Sequence, residues 1–445
     1  MQALIMAAQL ILGLSILVTL HELGHFLAAR AFGIKVEKFF LFFDAWGVKL
    51  FSIKRGETEY GIGWLPLGGY VKIAGMIDES MDTDQMASEP QPWEFRSKPA
   101  WQRLIVMIGG VTMNVILGIA IFSFTLLHYK GEYLPNDAVL NGKGIYVYQH
   151  GREIGLQDGD KIIAINGKPF ERFDDALSSR VLFGATLSVE RNKQTLEVEV
   201  PDNFYRQISK SGKWSFFGYA PLQFEIGTVV PGKEAEKAGL KKGDIITAIN
   251  GTAFAGNDEL TGKIQASKGK SIVFTVLRNR ETLQITSQVS KEGKIGVGFD
   301  VYPMKNHGYA MVPFTVGSAL SFGTSDAVEA LVSNAKGLSK IFTGEEKATD
   351  SVLGPIGIAT IYGGEFNWPR FWSITGLLSM VLAFMNMLPI PALDGGHVIF
   401  LLLESIFRVK FSEKVMERAQ VAGMVILMAL LVFAIGNDVW KHFLN

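Results

Sequence analysis

The chain contains no cysteine, which excludes thiolate metal sites and disulfide frameworks and is compatible with any redox compartment. It is also poor in charge. Charged residues make up 19 % of the 445 residues against 48 % apolar ones, and 43 basic side chains cancel 43 acidic ones. The missing basic excess argues against nucleic acid as a partner, and the apolar surplus shifts the chain toward the membrane class. No lysine or arginine precedes the first long apolar run. That run lacks the charged n-region of a signal peptide and continues past the length of an h-region, so it reads as a retained span.

A spanning helix needs about 20 mostly apolar residues. Four stretches qualify: 3–32, 104–127, 371–393, and 421–436 with its flanks. Lysine and arginine placement orients them. Ten lie from Arg30 to Arg103, and Arg408, Lys410, Lys414 and Arg418 lie between spans three and four. Both connections are expected on the cytoplasmic side, which puts residues 128–370 and both termini outside. Trp101, Trp372 and Trp440 fall near span ends, as interfacial side chains do.

The exported segment carries an internal repeat. Residues 154–167 match 238–251 at 9 of 14 positions. Each copy reads as a turn, a short buried strand and an Asn-Gly hairpin signal. The shared GLxxGDxIxxING run resembles PDZ domains of the bacterial protease type. Such a groove offers a sheet edge to an extended peptide; passive spacers that exclude bulky proteins are the alternative. Beyond the repeats, apolar residues from Ala327 to Phe342 recur at helical spacing, with Asp326, Glu329, Ser333 and Lys336 between them. This amphipathic helix is too polar for a span, and is expected either on the PDZ-like units or at the membrane surface. After span one, 48–53, 59–64 and 70–73 read as strands of a small β-meander close to the membrane. Strand backbone at that depth is tolerated only if protein covers it or it lines a wet cavity.

The chemistry centres on His21-Glu22-Leu23-Gly24-His25. Helix positions i and i+4 share a face, so both imidazoles can reach one Zn²⁺ while Glu22 approaches its bound water as general base. The motif lies within an apolar span, where each ionisable side chain costs roughly 2.5–3.5 kcal/mol. A bound metal is the natural compensation. A catalytic zinc takes three protein ligands and keeps an open position. Glu37, Asp44, Glu57 and Glu59 are near in sequence but outside the span. Asp394, in the NxxPxPxLDG run at the end of span three, is the better third ligand, because Pro389 and Pro391 must break the helix there. His397 ranks second, since Gly395-Gly396 suggests a turn that carries it away. Asn386 is read either as a donor to substrate or oxyanion or as an interhelical hydrogen bond.

Together, HExGH in the first span and NxxPxPxLDG in the third resemble the site-2 protease family of intramembrane metalloproteases, and the paired PDZ-like units narrow this to its two-PDZ branch. The resemblance covers essentially the whole chain. It implies one zinc on His21, His25 and Asp394, Glu22 as base, and an active site toward the cytoplasmic side. It also implies substrate handling by Asn386, Pro389 and Pro391, with Gly61 and Gly63 in the membrane-dipping sheet that receives the substrate strand. Expected substrates are single-pass membrane proteins such as an anti-sigma factor, and remnant signal peptides, in contact with membrane lipid at the bacterial inner membrane. One departure is that Gly110-Val111-Thr112-Met113-Asn114 lacks the proline of the family's Gly-Pro-x-x-Asn. The fold class is therefore a polytopic α-helical membrane protein with four transmembrane helices, a membrane-associated β-meander and two exported PDZ-like domains. The segments are 1–32 (first span), 33–100 (β-rich loop), 101–128 (second span), 129–218 and 219–305 (PDZ-like), 306–368 (amphipathic), 369–394 (third span), 395–418 (loop) and 419–445 (fourth span and tail). Two other classes compete. A PDZ scaffold with structural zinc would not need Glu22. A metal transporter would want a path of acids or histidines, and spans two and four offer only Asn114.

Overall fold

The first helix, α1 (Gln2–Ala31), is buried along one stripe: Gln9, Gly13, Leu17, His21, His25 and Ala29 recur every four residues. Apart from Leu17, small and polar side chains make up this stripe, while Leu4, Ile11, Leu12 and Leu27 are exposed. This inversion of a soluble amphipathic helix suits apolar surroundings, where close packing and hydrogen bonds hold helices together. The computed structural model describes residues 1–66, 68–76, 89–211, 216–219, 223–254, 256–302, 310–408 and 411–441. Lys410, counted above for orientation, and Leu67 lie outside them. The chain divides into two units, 1–130 with 315–445, and 131–314.

In the first unit, α1 is followed by strands β1 (Val36–Leu41), β2 (Lys49–Arg55), β3 (Thr58–Gly63) and β4 (Tyr70–Ile73). Five further helices matter for the site: α2 (Ala100–Thr125), α3 (Val316–Phe342), α4 (Pro355–Tyr362), α5 (Trp368–Asn386) and α6 (Asp394–Phe407). The last helix is α7 (Glu413–Val439). Among the described residues three helices are long and apolar enough to cross a membrane: α1, α2 with its extension to Lys130, and α7 from Lys414. The third expected span is shorter than foreseen. α5 stops at Asn386 rather than reaching 393, because the segment with Pro389 and Pro391 cannot continue the hydrogen-bond ladder, and its first turn carries Trp368, Pro369 and Arg370. The stretch 395–418, expected as a loop, is largely helical. Asp394 is the first residue of α6, not the last of a span.

α1 and α2 cross with backbones in contact: a Cβ built on Gly109 would lie 2.6 Å from the Gly24 carbonyl oxygen. α5 packs on α2 with side chains seated on glycines, Ile121 on Gly376 and Met380 on Gly118. The amphipathic helix α3 begins at Val316, well before the expected stretch from Ala327, with Thr315 and Ser318 forming a capping box. It lies along α2, where Gly323 meets Ser123.

The sheet is not a meander. Its order is β2-β3-β1-β4, with β1 parallel to β3 and antiparallel to β4. β1 had escaped the sequence reading because Glu37 and Lys38 interrupt its apolar run. The β2–β3 hairpin is thereby a detour in a parallel connection, and β2 and β4 are the edges.

The second unit contains two cores, one gathered between Leu134 and Phe217 and the other between Phe224 and Ile295. Around the first run strands β5 (Lys161–Ile165), β6 (Ala185–Arg191) and β7 (Gln194–Val200). Around the second run β8 (Gln223–Val229), β9 (Ile245–Ile249), β10 (Ser271–Arg278), β11 (Glu281–Gln288) and β12 (Val297–Tyr302), in the order β11-β10-β9-β8-β12. The sequence repeat is a repeat of contacts. Arg191 grips Asp160 at 2.7 Å through two nitrogens and the Gly155 carbonyl at 2.8 Å. Arg278 does the same to Asp244, at 2.6 and 2.7 Å, and to the Gly239 carbonyl at 2.8 Å. Asn166 and Asn250 take positive φ and accept from Thr186 and Val273 at 2.9 Å.

Candidate metal centre

α1 holds His21 and His25 one turn apart on its buried stripe, each less than a tenth exposed. The broken segment after α5 returns the chain so that α6 opens at Asp394, with Ala392 held at φ 85° just before it. A helix N-terminus is a favourable place for a carboxylate. The three donors converge. His21 Nε2 is 3.2 Å from His25 Nε2 and 3.2 Å from Asp394 Oδ2, and His25 Nε2 is 3.4 Å from Asp394 Oδ2. At zinc–ligand bonds of about 2.0–2.1 Å, tetrahedral ligands stand roughly 3.3 Å apart, so the triangle has the size zinc requires. Asp394 Oδ2 is buried with no hydrogen-bond partner among the described residues, as suits an atom whose lone pair is for a cation.

α2 supports the pair. The Val106 carbonyl oxygen lies 2.8 Å from His25 Nδ1 and the Asn114 carboxamide 3.0 Å from His21 Nδ1. Between them Gly110 is obligatory, since its Cβ would come within 2.6 Å of His21 Cε1. Outer hydrogen bonds of this kind set which ring nitrogen is free for metal.

Glu22 shares a cavity of about 80 Å³ with the triad, Tyr70, Val71, Asn386, His397 and Gln420. The Val71 backbone is hydrogen-bonded to the Glu22 carboxylate. Asn386 Nδ2 lies 3.3 Å from His21 Nε2. The other expected residues stand elsewhere. Gly61 and Gly63 are on β3, with β2 and β1 paired on either side; their backbone offers no free edge to a substrate, and they do not line the cavity. Pro389 does not line it either, and Pro391 turns its carbonyl to α7, where Gly423 leaves room for it. These prolines shape the segment rather than face the site. His397 does line the cavity, contrary to the expected turn, because Gly395 and Gly396 are helical and pack against the 387–391 backbone. It hydrogen-bonds Gln420 and stands outside the donor triangle. Tyr70, Val71, Gln420, Val106 and Gly110 were not foreseen as site residues. Only the four-residue spacing of Val106, Gly110 and Asn114 offered a signal.

The model of peptidase family M50 matches residues 9–430. Among similar proteins is the regulator of sigma E protease of Haemophilus influenzae, 30 % identical, covering 96 % of this chain and 97 % of the relative. The protease RseP of Yersinia pestis is 28 % identical over 97 % of both chains. A Neisseria meningitidis protein described as a candidate zinc metalloprotease is 28 % identical, covering 97 % of this chain and 98 % of that one. A donor triangle of zinc dimensions, apolar helices around it and a match along nearly the whole chain lead to one conclusion: the chain belongs to peptidase family M50, the site-2 proteases, and is a zinc metalloprotease of the membrane.

Proposed function

We propose that the enzyme cuts the transmembrane segment of single-pass proteins, with His21, His25 and Asp394 as zinc ligands and Glu22 as general base. The convergence of the three donor atoms beside Glu22 in one cavity carries this reading. Zinc bound there supplies Lewis acidity, polarising the scissile carbonyl and lowering the pKa of water toward about 7. Glu22 takes a proton from the attacking water, whose oxygen bonds to the carbonyl carbon. As the C–N bond breaks, Glu22 returns the proton to the amine nitrogen. Asn386, next to the triad, donates its amide N–H to the carbonyl oxygen as charge develops there.

A helical peptide bond is hidden in its own ladder, so the substrate must lie extended. Of the two edge strands, β4 lines the cavity through Tyr70, Val71 and Ile73, which makes it the strand beside which the extended substrate would lie. The remaining assignments follow the lysine and arginine distribution and the repeat. α5 completes a fourth span, the site lies toward the cytoplasm, and residues 129–305 form two periplasmic PDZ-like domains that bind peptide or exclude bulky proteins. An anti-sigma factor is the expected substrate, given the sigma E relatives, with remnant signal peptides as a second class.

Purified wild type and Glu22→Gln are compared for zinc content and for cleavage of a tagged single-pass peptide with a helix-destabilising segment. Equal zinc, with cleavage reduced about 10²–10⁴-fold in the variant, is the expected result. Undiminished cleavage by Glu22→Gln would remove the mechanism.

A further inference from the structure

Val106, Gly110 and Asn114 stand four residues apart and so face one way on α2. This one stripe meets both imidazoles. Val106 presents its carbonyl to His25 Nδ1, Gly110 leaves space for the two rings, and Asn114 reaches His21 Nδ1. Asn114 is fully buried, and Ser379 on α5 donates to its backbone carbonyl at 2.7 Å. Its place is therefore held from two helices.

The chemistry at its side chain is informative. Asn114 Nδ2 faces His21 Nδ1 at 3.0 Å, while Oδ1 is buried with no partner among the described residues. His21 Nε2 points into the donor triangle. A ligating Nε2 presents a lone pair, so the single proton of a neutral imidazole sits on Nδ1. Two N–H groups cannot face each other across 3.0 Å. Turning the carboxamide by half a revolution, which exchanges two atoms of nearly equal size, brings Oδ1 to that proton.

We propose that Asn114 is a positioning residue of the metal site: its Oδ1 accepts the Nδ1–H of His21 and fixes the ring with Nε2 toward the zinc. This rests on His21 as a ligand. α2 then supplies an oxygen acceptor to each ligating histidine, a backbone one for His25 and a side-chain one for His21. The opposite orientation, Nδ2 donating to an Nδ1 lone pair, would put the proton on Nε2 and remove His21 from the ligand set.

The two orientations differ in what may replace asparagine. Zinc affinity of the full chain in detergent is measured by chelator competition for wild type, His21→Ala, Asn114→Leu and Asn114→Asp. Asn114→Leu, which offers no acceptor, should bind zinc roughly 10–100-fold more weakly. Asn114→Asp, an acceptor only when ionised, should restore the affinity to within a few-fold of wild type. That rescue separates hydrogen bonding from packing, because a misfolded Asn114→Leu would leave the Asn114→Asp result unaffected. Wild-type affinity in Asn114→Leu overturns the proposal, as does a loss in Asn114→Asp equal to that in Asn114→Leu. Wild-type affinity in His21→Ala would instead remove the ligand assignment, and the proposal with it.

Discussion

At the scale of single residues the site depends on what is left out as much as on what is present. Gly110 is the clearest case, because any side chain there meets His21 and His25. Overpacking of a tight interior costs about 1–3 kcal/mol, and here the strain falls on the two proposed ligands. Gly110→Ala is expected to lower both thermal stability and zinc content, checked by melting with and without added zinc; equal zinc affinity would show that the rings can yield. A second residue-scale prediction concerns the repeat. Burial pushes the Asp244 carboxyl up, but the hydrogen bonds from Arg278 and the Lys241 backbone N–H, with the charges of both residues, together outweigh it and hold the group below the ordinary carboxylate range. A group whose folded pKa is depressed stabilises above its unfolded value, about 3.9 for aspartate, and loses that contribution as pH falls through the folded value. Scanning calorimetry should therefore show the Arg278-dependent part of stability vanishing below about pH 4. At neutral pH, Arg278→Ala should cost about 3 kcal/mol by leaving the carboxylate buried without its partner.

At the scale of elements, Asp394, the third proposed ligand, is placed by a helix break. The segment between α5 and α6 turns back on itself, and α7 closes over it where Gly423 meets the Pro391 carbonyl. The Arg103–Glu404 ion pair, at 2.6 Å, ties α6 to α2 near its other end. Asp394 is thus held by packing at both ends of its helix. Gly423→Val should push the 387–393 segment away from α7, displacing Asn386 and Asp394 together. The expected outcome is weakened zinc binding and cleavage in a protein that still inserts into membranes, measured on purified membranes and by chelator competition. Retention of wild-type zinc affinity would mean that the segment does not depend on α7. The β-sheet shows how an element-level expectation can fail in topology while holding in substance. Strands were legible from alternation at 48–53, 59–64 and 70–73, but β1 inserted between two of them. Gly61 and Gly63 became interior as a result, and the strand beside the cavity is β4.

At the scale of the whole molecule, the absence of cysteine becomes useful. Single cysteines can be introduced without removing any native one, so the proposed topology is directly measurable. Lys291→Cys, in the second repeat, should be modified by a membrane-impermeant maleimide in intact spheroplasts. Lys54→Cys, between the first two spans, should react only after lysis. Labelling of Lys54→Cys but not of Lys291→Cys in intact spheroplasts would reverse the reading of the lysine and arginine distribution.

What the sequence determined by itself was the chemistry and its neighbourhood. HExGH puts two histidines on one helical face, the LDG run after a double-proline break supplies an acid, and apolar length marks the helices around them; each signal is local, within a few turns. The repeat was equally legible, because its asparagine turns and buried aspartates are set by contacts within one module. Only the tertiary structure decided which side chains from distant segments complete the site. Asn114 and Val106 face the histidines across 93 and 81 residues of sequence. β4 reaches the cavity through a strand order that no local alternation encodes, and Asp394 opens a new helix rather than closing an old one. The physical reason is the same in each case. Spacing along a chain fixes what shares a face, whereas close packing of backbones at glycine contacts fixes which faces meet.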